Sequence, residues 1–529
     1  MAWINTVLLS FKRSGLLERL ERAFLITALR DPIQAAAAAE HLTPARQPSE
    51  SRGRRVPLAL ALTTSLVGLG VIPSGASAAD WSANTSVPAD GGDIAVAEVK
   101  SAPVATTADA EFAPTAAAQT WAVHGQATFV DQGTAAFHSP YRGPNSLDPG
   151  MRGRETADVT LYLGFRPWSG AEAWVDPEID QGFGLSNTLG VAGFPSGEAY
   201  KVGKSTPYAK LPRLFLRQTI DLGGAREAVD ADLNQMRGAR TADRLVITIG
   251  KFGVTDIFDA NTLAHDPRHD FLNWSVIDTG SFDYAADAWG YTYGAAVEWY
   301  VGRWTLRAGV FDLSTIPNTT SLERDFSEFQ AVVEIEERHN IGGRDGKLEI
   351  TGFVSRGRMG KFSDAIRLAE ATGQPASIAA VRRYQSRPGI SFNLEQDVTD
   401  DLGVFAHGGV DDATKETYEF TDIDRTLAIG ASMKGRRWSR PGDTVGLALV
   451  ANDISRVHEQ FLDAGGLGIL VGDGKLPHPG TEAIVETYYD VPVQKVAHVS
   501  LDYQVVNNPG YNRDRGPVSI FAVRLHAQF

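Results

Sequence analysis

The last twelve residues, Val518-Ser-Ile-Phe-Ala-Val-Arg-Leu-His-Ala-Gln-Phe529, put Phe521, Val523, Leu525, Ala527 and Phe529 on one face of an extended chain. Arg524, His526 and Gln528 fall on the other. Successive strand side chains point to opposite faces, so this segment needs an apolar medium on one side and water on the other. A half-buried strand of a soluble sandwich and a spanning strand of a membrane barrel both meet that demand. The rest of the chain decides between them.

No stretch after residue 78 approaches the roughly 18 uninterrupted apolar residues of a membrane helix, so a membrane-spanning form must use strands. Cysteine is absent, which excludes disulfides and thiolate metal sites and suits an oxidising envelope compartment. Arg52-Gly-Arg-Arg55, the apolar run 56–72 and Ala76-Ser77-Ala78 follow the order of a secretory signal, with cleavage expected near Ala78. The signal is preceded by 51 residues, an unusually long extension, so the true start is either here or downstream. The segment 79–119, rich in Ala, Thr, Pro and Ser, has too few large apolar residues to fold alone and is expected to be a flexible periplasmic leader. Residues 120–529 then form the third region, a barrel domain.

The whole chain has 50 Lys and Arg against 64 Asp and Glu, a net charge of −14. Nine of those cations and five of the anions precede Ala79, so the cleaved chain carries −18. That balance argues against nucleic acid as a partner.

From Trp121 onward, period-2 alternation or β-branched and aromatic enrichment marks sixteen strands. Their cores are 121–130, 156–167, 170–176, 211–221, 243–252, 290–300, 303–313, 328–338, 346–356, 388–397, 402–409, 423–433, 443–452, 482–489, 494–506 and 518–529. An even count suits a closed barrel with both termini on one side, and such barrels alternate short periplasmic turns with long extracellular loops. The connections do alternate, from the long 131–155 and short 167–170 to the short 490–493 and moderate 507–517, and only 222–242 breaks the pattern. The fold expected is all-β, a sixteen-stranded antiparallel transmembrane barrel. Within it, Trp299 and Trp304 belong to one aromatic girdle and Tyr291 and Tyr293 to the other.

A barrel of this size leaves a watery lumen, and strand parity points Arg213, Arg217, Glu298, Arg307, Glu334, Glu349, Glu395, Asp502 and Arg524 into it, with Phe215, Phe311 and Phe405. Mixed signs favour neutral polar solutes over a strongly ion-selective ring. Sugars are one such class, since hydroxyls bond to carboxylates and guanidinium groups while apolar faces lie on aromatic rings. For each residue the plainer alternative is ordinary lumen polarity or a structural ion pair. Catalytic and metal signals are weak. His265 and His269 have a metal-like spacing but no further clustered ligands, 465–474 is glycine-rich without a dinucleotide pattern, and no nucleophile elbow or distinguishable carboxylate pair occurs. No enzyme activity, cofactor or metal is expected.

Several strings carry more. Gly190-Val-Ala-Gly-Phe-Pro-Ser-Gly-Glu-Ala-Tyr200, Leu211-Pro-Arg-Leu-Phe-Leu-Arg217, Gly250-Lys-Phe252, Asp256-Ile-Phe-Asp259, His265-Asp-Pro267, Phe271-Leu-Asn-Trp274 and Phe282-Asp-Tyr-Ala-Ala-Asp-Ala-Trp-Gly-Tyr291 resemble the OprB-type carbohydrate-selective porins of Gram-negative outer membranes. The resemblance runs from about Trp121 to Phe529. It implies passive, facilitated diffusion of glucose-type sugars, with inward-folded loops and wall charges at the constriction. Residue by residue it points to Arg213, Arg217, Glu198, Lys201, Asp259, His265, Asp266, Arg268 and Trp274, alongside the wall residues Glu298, Arg307, Glu334 and Glu395. Expected neighbours are small sugars, outer-membrane lipid and lipopolysaccharide, in a monomer or homotrimer. The terminal Phe529 resembles the signature read by barrel assembly machinery. The competing readings are a general or ion-selective porin without a sugar site and a structural barrel that binds surface polysaccharide.

Overall fold

The structure, a computed structural model, describes residues 118–199 and 203–529; the signal expected over 1–78 and nearly all of the leader expected over 79–119 lie outside the described residues. Sixteen strands follow one another: β1 (Trp121–Thr134), β2 (Arg152–Phe165), β3 (Ala171–Gly182), β4 (Lys204–Val229), β5 (Gly238–Phe252), β6 (Thr292–Val301), β7 (Trp304–Asp312) and β8 (Phe329–Ile341). The second half comprises β9 (Arg344–Met359), β10 (Arg383–Asp397), β11 (Leu402–Asp411), β12 (Arg425–Gly435), β13 (Arg440–Asp453), β14 (Glu482–Gln494), β15 (Ala497–Asn507) and β16 (Val518–Gln528). Each pairs antiparallel with its sequence neighbours, and β1 closes on β16 in a register that sets Phe129 opposite Leu525. Beyond the last strand residue, Gly125 and Phe529 exchange both backbone hydrogen bonds, at 3.0 and 2.9 Å. Closure leaves no unpaired edge, which a bilayer interior requires.

The alternation has its expected consequence. On β2, Val159, Leu163 and Phe165 are exposed on the outer face, while Asp158, Thr160 and Tyr162 are buried inside. On β7, Trp304, Leu306 and Val310 point out and Arg307 and Phe311 point in. In water such an apolar belt would be a liability, but in lipid each covered aliphatic contributes roughly 1.5–3 kcal/mol. Trp121, Phe165, Trp299, Trp304 and Phe529 are exposed at the end that carries the short turns. Tyr291 departs from the expected girdle: it precedes β6, is buried, and turns into the lumen, while Tyr293 faces out.

The connection that breaks the alternation in sequence, 222–242, is mostly strand. β4 and β5 stay paired as far as Val229 and Gly238, so the true turn is 230–237, short like the others at its end. Register shifts at Asp221/Gly223 and Gly223/Arg226, with Gly223 and Gly224 at φ 137° and 81°, bend this ribbon.

The largest connection, 253–291, does not leave the barrel. Phe271 and Phe282 are fully buried; Phe271 meets Tyr488 and Phe405 of the wall at ring separations of 4.8 and 5.6 Å, and Phe282 meets Phe353 at 4.9 Å. One turn of helix within it, α1 (Trp274–Ile277), is capped by the Asn273 side chain, which accepts from the Ser275 N–H. Two further helices, α2 (Phe362–Thr372) and α3 (Arg456–Asp463), pack together on the long-loop side through Phe362 and Phe461. Among the described residues no helix is long and apolar enough to cross a membrane.

Candidate functional site

An irregular segment inside a barrel must find partners for its backbone, because an unpaired buried N–H costs as much as a lost hydrogen bond. Here the wall supplies them from inward-facing carboxylates. Glu334 accepts from the Asp259 N–H at 2.8 Å, Glu395 from the Thr262 N–H at 2.6 Å, and Glu486 from the Leu272 N–H at 2.6 Å. Glu482 takes the N–H groups of Ala192, Gly193 and Gly510 at 3.0, 2.8 and 2.7 Å. Arg524 serves the opposite need and donates to the carbonyls of Pro267, Asp270 and His269 at 2.6, 2.7 and 3.0 Å. The loop is therefore stitched to β8, β10, β14 and β16, and a second inward segment, 183–199, is held by β14 through Glu482.

Where the loops stop short of β2, β4 and β5, a cavity of about 490 Å³ remains, the size of a small-ligand site. Its charged lining comes in pairs. The Arg213 guanidinium reaches both oxygens of Asp256, at 2.8 and 2.6 Å, and lies over the Tyr291 ring at 5.0 Å. Arg268 lies 3.4 Å from Glu198 and 3.7 Å from Asp158. Arg217 donates to the Asn234 carbonyl at 2.8 Å and covers the Phe215 ring at 5.1 Å. Beside these pairs stand Trp274, stacked on Phe194 at 5.3 Å, and Tyr284, tilted 6.4 Å from Trp274. The Glu198 carboxylate is buried at the edge of the cavity, against both Arg268 and Asp158.

The loop carboxylates differ in charge affinity. Burial opposes the charge of Asp256, but Arg213 outweighs it and holds the carboxyl below the usual range. Burial pushes Asp278 up to about 7 against the pull of His265. Burial likewise disfavours the charged His265 ring, yet Asp278 at 3.6 Å, with Asp266 and Asp259, holds its pKa above the ordinary value. Asp266 goes the other way, kept at about 2 by His269 and Arg268 despite its burial.

Of the thirteen residues expected at the constriction, Glu198, Arg213, Arg217, His265, Asp266, Arg268 and Trp274 line this cavity, together with the lumen-facing Phe215. Five do not. Arg307 is enclosed by Glu334 and Glu336 at 2.6 Å, Glu298 at 3.4 Å and Glu349 at 3.5 Å, all on the wall of β6 to β9. Asp259 is buried at φ 59° and accepts from the Thr279 N–H and hydroxyl at 2.7 and 2.8 Å, and Glu395 holds Thr262. Lys201 lies outside the described residues. His265 and His269 face different partners, Asp278 and Gln528, and no group of three or more metal-ligating side chains forms among the described residues. Asp256, Tyr284 and Trp289, and Tyr291 from the expected girdle, line the cavity although none is expected there from sequence; each sits in a string that carries the family resemblance, which is the available signal. Leu233, Asn234 and Gln235 also line it, and nothing in the sequence marks them.

The family described as "Carbohydrate-selective porin, OprB family" matches residues 145–529, leaving β1 outside the matched span although β1 closes the barrel. Among solved structures, the high-pH form of OprB from Pseudomonas putida is 15% identical, with a TM-score of 0.59 over 78% of this chain and 94% of that one. Its low-pH form is 12% identical at TM-score 0.42, over 78% and 93%. The outer membrane channel DcaP of Acinetobacter baumannii is 10% identical at 0.45, over 77% and 97%. The high-pH structure shows the shared barrel fold. No curated protein matches the chain.

Proposed function

The chain belongs to the OprB family of carbohydrate-selective porins, and from that premise we propose that its sugar passes through the cavity bounded by Arg213, Arg217, Glu198, Arg268, Trp274 and Tyr291. The supporting observation is the company of groups in one lining: the guanidinium groups of Arg213, Arg217 and Arg268, the Glu198 carboxylate 3.4 Å from Arg268, and the rings of Trp274 and Tyr291. Sugar hydroxyls bond to guanidinium and carboxylate groups, and the apolar face of a pyranose ring covers an aromatic plane. Because Arg213 is matched by Asp256 and Arg268 by Glu198, the site offers hydrogen bonds with little net charge. That suits a neutral polyol better than an ion. Binding is weak and wet by design, since a pore must release what it admits.

The family and the barrel imply an outer-membrane location. Export by a signal cleaved near Ala78, and recognition of the β16 end by assembly machinery, complete the reading; the two-way bonding of Phe529 to Gly125 puts that aromatic at the β1–β16 seam, where polar residues added after it should impair insertion. In planar bilayers glucose should reduce the ion current saturably, and proteoliposomes should swell faster in glucose than in a size-matched non-sugar. Ion conduction without either effect would leave a general porin, and no conduction with retained glycan binding would leave a structural barrel.

A further inference from the structure

Short turns at the terminus-bearing end of such a barrel ordinarily stop at its rim. The β4–β5 connection does not. After the bulges at 221–226 its ribbon bends, and the tip 230–237 returns into the mouth. Met236 there is buried, and a Cβ added to Gly164 of β2 would meet its terminal methyl at 2.9 Å. Met236 packs in one apolar cluster with Ala122, Tyr162 and Trp174, the inward faces of β1, β2 and β3.

Polar contacts hold the same position. The Asn234 side-chain amide donates to both oxygens of Asp176 on β3, at 3.2 and 2.9 Å, and the Asn234 backbone carbonyl accepts from Arg217 at 2.8 Å. Gln528 of β16 donates to Asp232 at 3.3 Å, and Gln119 and Arg237 exchange two hydrogen bonds of 3.0 Å. Strand order places β4 and β16 four strands apart around the wall, so the tip leans across that arc. Asn234 itself is at φ 51°, a conformation asparagine tolerates better than most residues. Leu233, Asn234 and Gln235 end up lining the same cavity as Trp274 and Arg268.

We propose that this hairpin tip is a fixed periplasmic jaw of the constriction: residues 233–235 floor the sugar site from below, opposite the inward loop 253–291, and help set the size of what passes. Arg217 belongs to both parts, since it faces the cavity while fastening the tip. The proposal rests on the sugar-porin reading for the identity of the solute, but the narrowing itself is read by ion conductance. Either can therefore fail alone.

The test replaces 230–237 with an Asn-Gly turn joining Val229 to Gly238. Ion conductance should rise at least about two-fold, and liposome swelling should extend to oligosaccharides that the unaltered protein excludes. Unchanged conductance and size limit overturn the proposal. Should the shortened chain not assemble, Asn234→Cys labelled with a bulky thiol reagent decides the same point, because the protein has no other cysteine. Labelling should cut conductance, and full conductance at complete labelling overturns the proposal. Fixity is read from Asp232→Cys with Gln528→Cys joined by a short cross-linker: conduction equal to the uncross-linked pair supports a fixed jaw, and arrest of conduction shows a tip that must move.

Discussion

Two arginine clusters inside the barrel look alike in chemistry and differ in what lies over them. Arg307 sits among Glu298, Glu334, Glu336 and Glu349, and the loop backbone at Asp259 is bonded onto one of these carboxylates, Glu334. Arg213 of β4 and Arg268 of the loop also sit among carboxylates, Asp256 of the loop for the first and Asp158 and Glu198 for the second, but there the loop meets the wall through side chains and both guanidinium groups border the cavity. Strand parity fixes that a charge points inward. Whether the charge meets a solute or a loop is settled by the loop, so the same side-chain chemistry serves as mortar in one place and as a polar rail in the other.

The comparison breaks first at Arg307. Arg307→Ala removes the cation shared by four buried carboxylates, of which Glu336 keeps Arg338 and Glu349 keeps Lys347, and should cost about 3–5 kcal/mol, the range for breaking a buried pair. Loss of the heat-resistant folded band on gels, or a much lower unfolding temperature, checks this; an unaltered band would mean that the cluster is not a structural unit. Arg213→Ala with Arg217→Ala should assemble, because their region borders a cavity, and should weaken sugar block of the current about ten-fold, equivalent to about 1.4 kcal/mol. Loss of assembly in place of affinity would erase the distinction between the two clusters.

A third effect is in pH. The folded pKa of Asp278 is raised from 3.8 to about 7, so the folded protein binds a proton that the unfolded one has lost, and stability falls as pH rises between those values. His265 is also raised, so its contribution is present below its ordinary pKa and is lost as pH climbs through the folded one, which has the same sign. Thermal unfolding should move slightly downward from pH 5 to pH 8, and Asp278→Asn should flatten the slope. A steeper slope in the variant would contradict the assignment.

These differences also mark what could be read from the chain. Period-2 alternation makes the strands legible because lipid and lumen impose opposite demands on neighbouring residues, as Val159 beside Asp158 illustrates. Tyr291 was misplaced by extending that parity one residue beyond β6 into a loop, where it no longer holds. The Arg307 cluster and Glu395 carry the same parity signal as Arg213; only the three-dimensional course of 253–291 separates them. Asn234 was invisible because a bent ribbon, rather than any motif, delivers it to the cavity.

Two glutamates of identical chemistry separate the cavity from the loop-covered wall. Glu198 lines the cavity beside Arg268, while Glu395 lies outside that lining and accepts through one oxygen from the N–H and hydroxyl of Thr262. Glucose titration of single-channel current in Glu198→Gln and Glu395→Gln should show sugar affinity reduced about ten-fold in the first and unchanged in the second. Equal losses, or a loss confined to Glu395→Gln, would contradict the account.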